Sequence, residues 1–174
     1  SSADVAFANL EYPIASPGQA FVGKRFTFNG SQSSLRAIRR AGFDLLSLAN
    51  NHIMDYGPEG LASTIQACKT LKLTHAGAGA RLDEARRLQV IRKNGVRYGL
   101  LAYSLTYPRE FWATDENAGT VYGERRYLEQ DIPRYAREVD ILIVSFHWGE
   151  ELNPRPRPYQ IELAHLAVDL GAAV

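Results

Sequence analysis

The sequence predicts an α/β fold, a mixed and mostly parallel sheet or sheets flanked by helices, on three observations. Short apolar runs, Val5-Ala6-Phe7-Ala8, Leu45-Leu46-Ser47-Leu48 and Ile141-Leu142-Ile143-Val144-Ser145-Phe146, have strand length and the composition of strands buried on both faces. Stretches with apolar residues at helical spacing lie between them. Each run also stops abruptly in polar residues, as strands do where they open onto the crevice at the carboxyl edge of an open α/β sheet.

Taken in order, the first run is followed by Asn9-Leu10-Glu11 and stopped by Pro13. Ser34, Leu35, Ala37, Ile38 and Ala41 then make a short helix ended by Gly42. The second strand ends in Asn50-Asn51-His52, with Asp55 three residues beyond the histidine. Pro58 and Glu59 open a helix whose apolar stripe is Leu61, Ile65, Cys68 and Leu71. Leu73-Thr74-His75-Ala76 reads as a short strand, with His75 packed or solvated, and Gly77-Ala78-Gly79-Ala80 as a loop. Residues 88–92 and 96–103 flank Lys93-Asn94-Gly95, a hairpin signal, because Asn-Gly readily takes the positive φ angles of a type I′ turn. Residues 104–122 lack periodicity and read as a long loop or lid, whose Tyr107, Phe111 and Trp112 either cover a substrate or pack on the domain. A helix over 128–139 precedes the third strand, which runs into His147-Trp148-Gly149-Glu150-Glu151. A helix over 159–170, with Leu163, Leu166, Ala167 and Leu170 inward and His165 at the surface, closes the pattern.

With 174 residues, 45% hydrophobic and 22% charged, the chain suits a single domain with a sizeable core. Twenty basic and 19 acidic residues, interspersed, leave a net charge of +1 and no basic footprint for nucleic acid. Cys68 is the only cysteine, so an intrachain disulfide is excluded, and its place on a helical stripe marks a buried thiol. No run of about 18 apolar residues is present to span a membrane.

Three strand ends carry chemistry. Asn51 offers a neutral amide oxygen suited to a divalent metal, His52 an imidazole that exchanges protons near neutral pH, and Asp55 a carboxylate to orient it. The competing reading is a loop in which Asn50 or Asn51 satisfies backbone donors and Asp55 caps the next helix. For His147 the competitor is a core histidine bonded to a backbone carbonyl, with Trp148 packing and Glu150 and Glu151 solvated. For Glu11 it is a plain turn residue. Carboxylate, amide and imidazole at neighbouring strand ends together suit a divalent metal. The proline-spaced 153–158 loop holds Arg155 and Arg157, whose guanidinium forks fit carboxylates and phosphates; with Glu151 they are candidate substrate contacts.

Ala8-Asn9-Leu10-Glu11, Phe26-Thr27-Phe28 before a helix, Ala41-Gly42-Phe43-Asp44 leading to Leu48-Ala49-Asn50-Asn51-His52, Asp55-Tyr56-Gly57, and His147-Trp148-Gly149-Glu150-Glu151 occur in an order that resembles the CapA-type capsule-biosynthesis, or poly-γ-glutamate capsule, family. The resemblance implies a fold of the calcineurin-like metallophosphoesterase type. It implies Glu11, Asn51 and His147 as metal ligands, His52 as the acid that meets the leaving group or steadies a developing negative charge, and Asp55 as the residue that holds its ring. The cofactor implied is one or two divalent ions, with Mn, Fe, Zn and Mg all compatible. The family pattern opens on a strand ending in Gly-Asp and closes on a Gly-His-x-x-His segment. This chain starts at Ser1-Ser2-Ala3-Asp4 and stops at Gly171-Ala172-Ala173-Val174, so the expectation is one domain over 1–174, truncated at both ends and lacking the first and last site-bearing strands. The implied function is a metal-dependent hydrolase or transferase of capsule or poly-γ-glutamate biosynthesis, acting on a phosphoester or amide bond. Its partners would be an anionic polymer or small-molecule substrate and a capsule-synthesis complex at the bacterial cell envelope. The alternative is a non-catalytic module with a degenerate metal site that binds an anionic polymer or a partner protein.

Overall fold

The structure, a computed structural model, describes residues 3–14 and 19–174. In chain order the elements are β1 (Phe7–Asn9), α1 (Gln32–Arg40), β2 (Leu45–Ser47), α2 (Gly57–Thr70), β3 (Thr74–Ala76), β4 (Ala78–Gly79), α3 (Leu82–Ala85), β5 (Gln89–Lys93), β6 (Val96–Ser104), a 3-10 turn (Arg109–Phe111), β7 (Gly119–Thr120), α4 (Arg125–Tyr135), β8 (Ile141–His147) and α5 (Pro158–Asp169). Strands β1, β2 and β3 form one parallel sheet, with Phe7 opposite Leu45 and Leu46 opposite His75. A second sheet has the order β5-β6-β8, antiparallel between β5 and β6 and parallel between β6 and β8. A small antiparallel ribbon joins β4 to β7.

Side chains alternate across a strand, and here the alternation sorts residues into three apolar layers. Leu46 and Leu48 face Leu35 of α1 and Leu61 and Cys68 of α2. Leu45 and Ala49 point the other way, to Ala76, Leu100, Ala102 and Ile143 between the two sheets. Leu101, Tyr103 and Leu142 back onto Leu128 and Ile132 of α4 and Leu163 and Ala167 of α5. The molecule is therefore helix, sheet, sheet, helix. Strands covered on both faces explain the near-continuous apolar runs, but such runs do not say that one cover is a second sheet.

Gly77 sits at the seam between the sheets with φ at +92°, and a Cβ there would stand 2.6 Å from Ala49 Cβ and 2.8 Å from Ala102 Cβ. Only glycine allows both the backbone angle and the approach.

Local signals set several element ends. Ser31 caps α1 by accepting from Ser34 N at 3.2 Å, and Asn94 and Gly95 take positive φ in the hairpin turn. Two expectations need correction. Residues 77–80 are not simply loop: Ala78–Gly79 pairs with Gly119–Thr120, a partner some forty residues away that local composition does not reveal. The helix expected over 128–139 is Arg125–Tyr135, ending two residues after Pro133. Within 104–122, Phe111 is buried in the first core and Trp112 stacks on Tyr122 at 3.8 Å, as the packing alternative expects, while Tyr107 is exposed and lines the cleft. Among the described residues, no helix is long and apolar enough to cross a membrane.

Asp44 ties the sheets together, accepting from Ala6 N at 3.0 Å and Lys93 Nζ at 2.8 Å. Partial burial pushes its pKa up, but the hydrogen bonds from Lys93 and Ala6 and the charges of Lys93 and Arg39 prevail and leave it below the ordinary carboxylate value. A depressed folded-state pKa stabilises the fold above the unfolded-state value and loses that contribution as pH falls through the folded one. Asp44→Asn is expected to cost about 1–2 kcal/mol at pH 7 and progressively less as pH falls through the depressed folded-state pKa, read by denaturant unfolding at neutral and acid pH. An equal loss at the two would refute the assignment.

Candidate metal centre and proton-handling pair

The carboxyl ends of β1, β2 and β8 converge on a cleft of about 900 Å³, whose wall includes Glu11, Asn51, His52 and His147. His147 Nε2 lies 2.9 Å from Asn51 Oδ1 and 3.6 Å from Glu11 Oε1. Donors about 2.1 Å from a common ion at tetrahedral or octahedral angles stand roughly 3.0–3.4 Å apart; the His147–Asn51 separation is close to that spacing and the His147–Glu11 separation is slightly wider. The set is thin: it carries one negative charge, and no group of three or more His, Cys, Asp or Glu residues that could hold a metal occurs among the described residues. Burial holds the His147 pKa below the ordinary histidine value; the Glu11 carboxylate pulls it up, and His52 pushes it down again. The ring is thus neutral at pH 7, the form that ligates metals.

Asn50 and Asn51 divide the two roles that the sequence left open. Asn50 is buried and fully used: its Oδ1 accepts from His52 N at 3.0 Å and Ile53 N at 2.9 Å, and its Nδ2 donates to Asn9 Oδ1 at 2.9 Å and Leu10 O at 2.8 Å. This staple fixes the turn after β2 against the end of β1 and leaves the Asn51 side chain to the cleft. Asp55 does not cap α2, whose first turn has no side-chain cap. Instead its fully buried carboxylate lies 2.7 Å from His52 Nδ1 and accepts from Phe28 N at 2.7 Å. A carboxylate at that distance, closer than the Lys24 ammonium at 3.0 Å from the same nitrogen, favours the tautomer with its proton on Nδ1 and Nε2 left for the cleft. The Phe28 ring stacks on His52 with centroids 4.0 Å apart.

His147 bonds to side chains, so it is no carbonyl-satisfied core histidine, while Trp148 stacks on Phe146 at 4.3 Å and also lines the cleft. Of the candidate substrate contacts, Glu151 and Arg157 line the cleft and Arg155 is exposed off its wall. Arg157 donates to Glu150 Oε2 at 2.5 Å, so the one arginine on the wall is already paired. His75 is half-buried near Leu73 O at 3.1 Å, His165 is exposed, and burial pushes the Cys68 thiol up to about 12.

Sequence reasoning missed Lys24. Its side chain is only 13% exposed, and its Nζ donates to Asp55 Oδ1 at 2.5 Å and to the Asn51 carbonyl, 3.0 Å from His52 Nδ1. The only signal available was its place two residues before Phe26-Thr27-Phe28, which does not separate it from a solvated lysine.

Comparison with known proteins finds relatives that match nearly the whole chain. A 181-residue alignment with the capsule biosynthesis protein CapA of Bacillus anthracis is 30% identical, covering 99% of this chain and 44% of that protein. The PGA biosynthesis protein CapA of Bacillus subtilis (strain 168) is 27% identical over 99% of this chain and 46% of its own length. A probable polyglutamine synthesis accessory protein of Mycobacterium tuberculosis is 29% identical over 98% and 48%. The chain thus spans about half the length of these relatives. A 5'-nucleotidase precursor from Thermus thermophilus superposes with a TM-score of 0.45 at 16% identity, over 66% of this chain and 24% of that one. The model of the bacterial capsule synthesis protein family PGA_cap matches residues 1–174, and the chain belongs to that family.

Proposed function

We propose that the cleft is the active site of a metal-dependent hydrolase or transferase acting in capsule or poly-γ-glutamate synthesis. The observation that carries the reading is the meeting of Glu11, Asn51 and His147 from three strand ends beside an imidazole held by a buried carboxylate. Held by Glu11, Asn51 and His147, a divalent ion would polarise a phosphoryl or acyl oxygen and would make water a nucleophile near neutral pH. The chain's own residues supply the rest. Asp55 and Phe28 hold the His52 ring by one hydrogen bond and one stacked face, so that Nε2 presents a fixed direction to the leaving group. The wall carries Glu11, Glu150 and Glu151 against Arg157, which is paired with Glu150, so the lining itself offers an anionic substrate little counter-charge. Glu151 and Arg157 remain the candidate substrate contacts on the wall.

The thin donor set favours one other reading, a binding module that holds an anionic polymer or a partner of capsule synthesis without turnover. Elemental analysis by mass spectrometry separates them, on protein purified without chelator beside an Asn51→Ala, His147→Ala variant. The expected result is about one divalent ion per chain in the wild type, lost in the variant. Metal in neither protein overturns the enzymatic reading and leaves the binding module.

A further inference from the structure

Asn51 and His52 are neighbours in sequence, yet the hydrogen bonds of the Asn50 staple do not fix the angle between the Asn51 amide and the His52 ring. Lys24 does touch both sides of that angle. Its ammonium donates to the Asn51 backbone carbonyl and to Asp55 Oδ1, and stands 3.0 Å from the His52 nitrogen that Asp55 holds. The segment that carries it is laced to Asp55 on either side: Phe21 N donates to the Asp55 carbonyl at 2.8 Å, and Phe28 N to its Oδ2 at 2.7 Å. The ammonium also lies over the Phe111 ring, 5.3 Å from its centroid, among apolar neighbours where a charge without a partner is costly. A solvated surface lysine has none of these features.

We propose that Lys24 is a positioning residue: its ammonium ties the Asn51 backbone carbonyl to Asp55 and, by holding Oδ1 and offsetting the carboxylate charge, keeps Asp55 Oδ2 turned to His52 as an acceptor, which fixes the ring with its proton on Nδ1. The proposal rests on the reading of Asn51 as a metal ligand and His52 as the proton donor. Lysine suits the place because a compact ammonium with three donors reaches a carbonyl and a carboxylate from one point, which the planar fork of arginine does not.

The test uses two-bond ¹H–¹⁵N spectra of the imidazoles and the affinity for Mn²⁺, with Lys24→Met, Lys24→Arg, and Lys24→Cys before and after alkylation with 2-bromoethylamine. Cys68 is buried, so alkylation of the folded protein falls on residue 24 and restores an ammonium of nearly native length. Lys24→Met is expected to replace the single Nδ1–H signature of His52 with a mixture and to weaken Mn²⁺ binding by about 10- to 100-fold. The alkylated cysteine is expected to recover most of both. Where the methionine variant does not fold, Lys24→Arg reads the same property. It keeps the charge that offsets Asp55, and is expected to keep the melting temperature while losing the tautomer signature and the Mn²⁺ affinity. Wild-type spectra in a folded Lys24→Met or Lys24→Arg protein would overturn the proposal. Failure of the wild type to bind Mn²⁺ counts against the metal reading alone, because the tautomer spectrum needs no ion and still decides the role of Lys24.

Discussion

His52→Ala is expected to lower kcat by about 10²- to 10⁴-fold, the range typical of a positioned proton donor, while bound metal stays at the wild-type level. The structure separates the two properties. His52 Nδ1 is taken by Asp55, and its ring is held by Phe28 at one side of the cleft. The proposed ligand atoms of Glu11 and Asn51 lie within 3.6 Å of His147 Nε2, apart from the His52 ring. The measurement is a steady-state assay on phosphoester and γ-glutamyl substrates, with metal content determined on the same preparations. The loss is expected to be smallest for substrates with an acidic leaving group, which need no proton. A uniform loss across leaving groups would show that His52 serves the fold or the ligand segment instead.

The largest expected effect on stability comes from Asp55→Ala. Asp55 is fully buried and pairs with a Lys24 that is itself 13% exposed, so removing the carboxylate strands an ammonium inside the protein. Breaking a buried pair from one side costs about 3–5 kcal/mol. Loss of the bond to Phe28 N adds to this, because that donor is left without its acceptor. In a chain of this size the cost corresponds to a fall in Tm of roughly 10 °C or more. A Lys24→Met, Asp55→Ala double variant is expected to melt above Asp55→Ala alone, because the stranded charge is gone. Equal melting temperatures would mean that Lys24 finds water once Asp55 is lost.

How far the site was legible depended on whether its determinants were local. Asn50-Asn51-His52 and His147-Trp148 stood at the ends of apolar runs, and strand ends are where an α/β fold exposes reactive groups, so these residues could be picked out one by one. Their meeting was not readable: 96 residues separate Asn51 from His147, and no local pattern reports the packing of the β1-β2-β3 sheet on the β5-β6-β8 sheet that brings them together. Lys24 was invisible for a related reason. Its partners are 27 and 31 residues downstream, and its own neighbourhood reads as a basic, glycine-flanked loop. The fold class followed from period and run length, but not its layering. Leu45 and Leu46 look alike in sequence and face different layers, one against the second sheet and one against α1 and α2. The division of labour between Asn50 and Asn51 likewise needed coordinates, since either could have closed the turn.

Gly77 has a consequence for the cleft. It lies against Ala49, two residues before Asn51, and against Ala102, which pairs with Ser145 two residues before His147. The missing side chain therefore sets how closely the strand that leads to one donor approaches the strand that leads to the other. The gap between Asn51 and His147 is in this sense a caliper reading, adjusted at a backbone joint and not by the rotamers of the two residues. Repacking of the outer cores around Leu35 or Ile132 leaves the joint alone, whereas a single methyl at position 77 would spread the jaws. On the proposed ligand set, the choice between a smaller and a larger ion is made by how tightly two sheets close on one glycine.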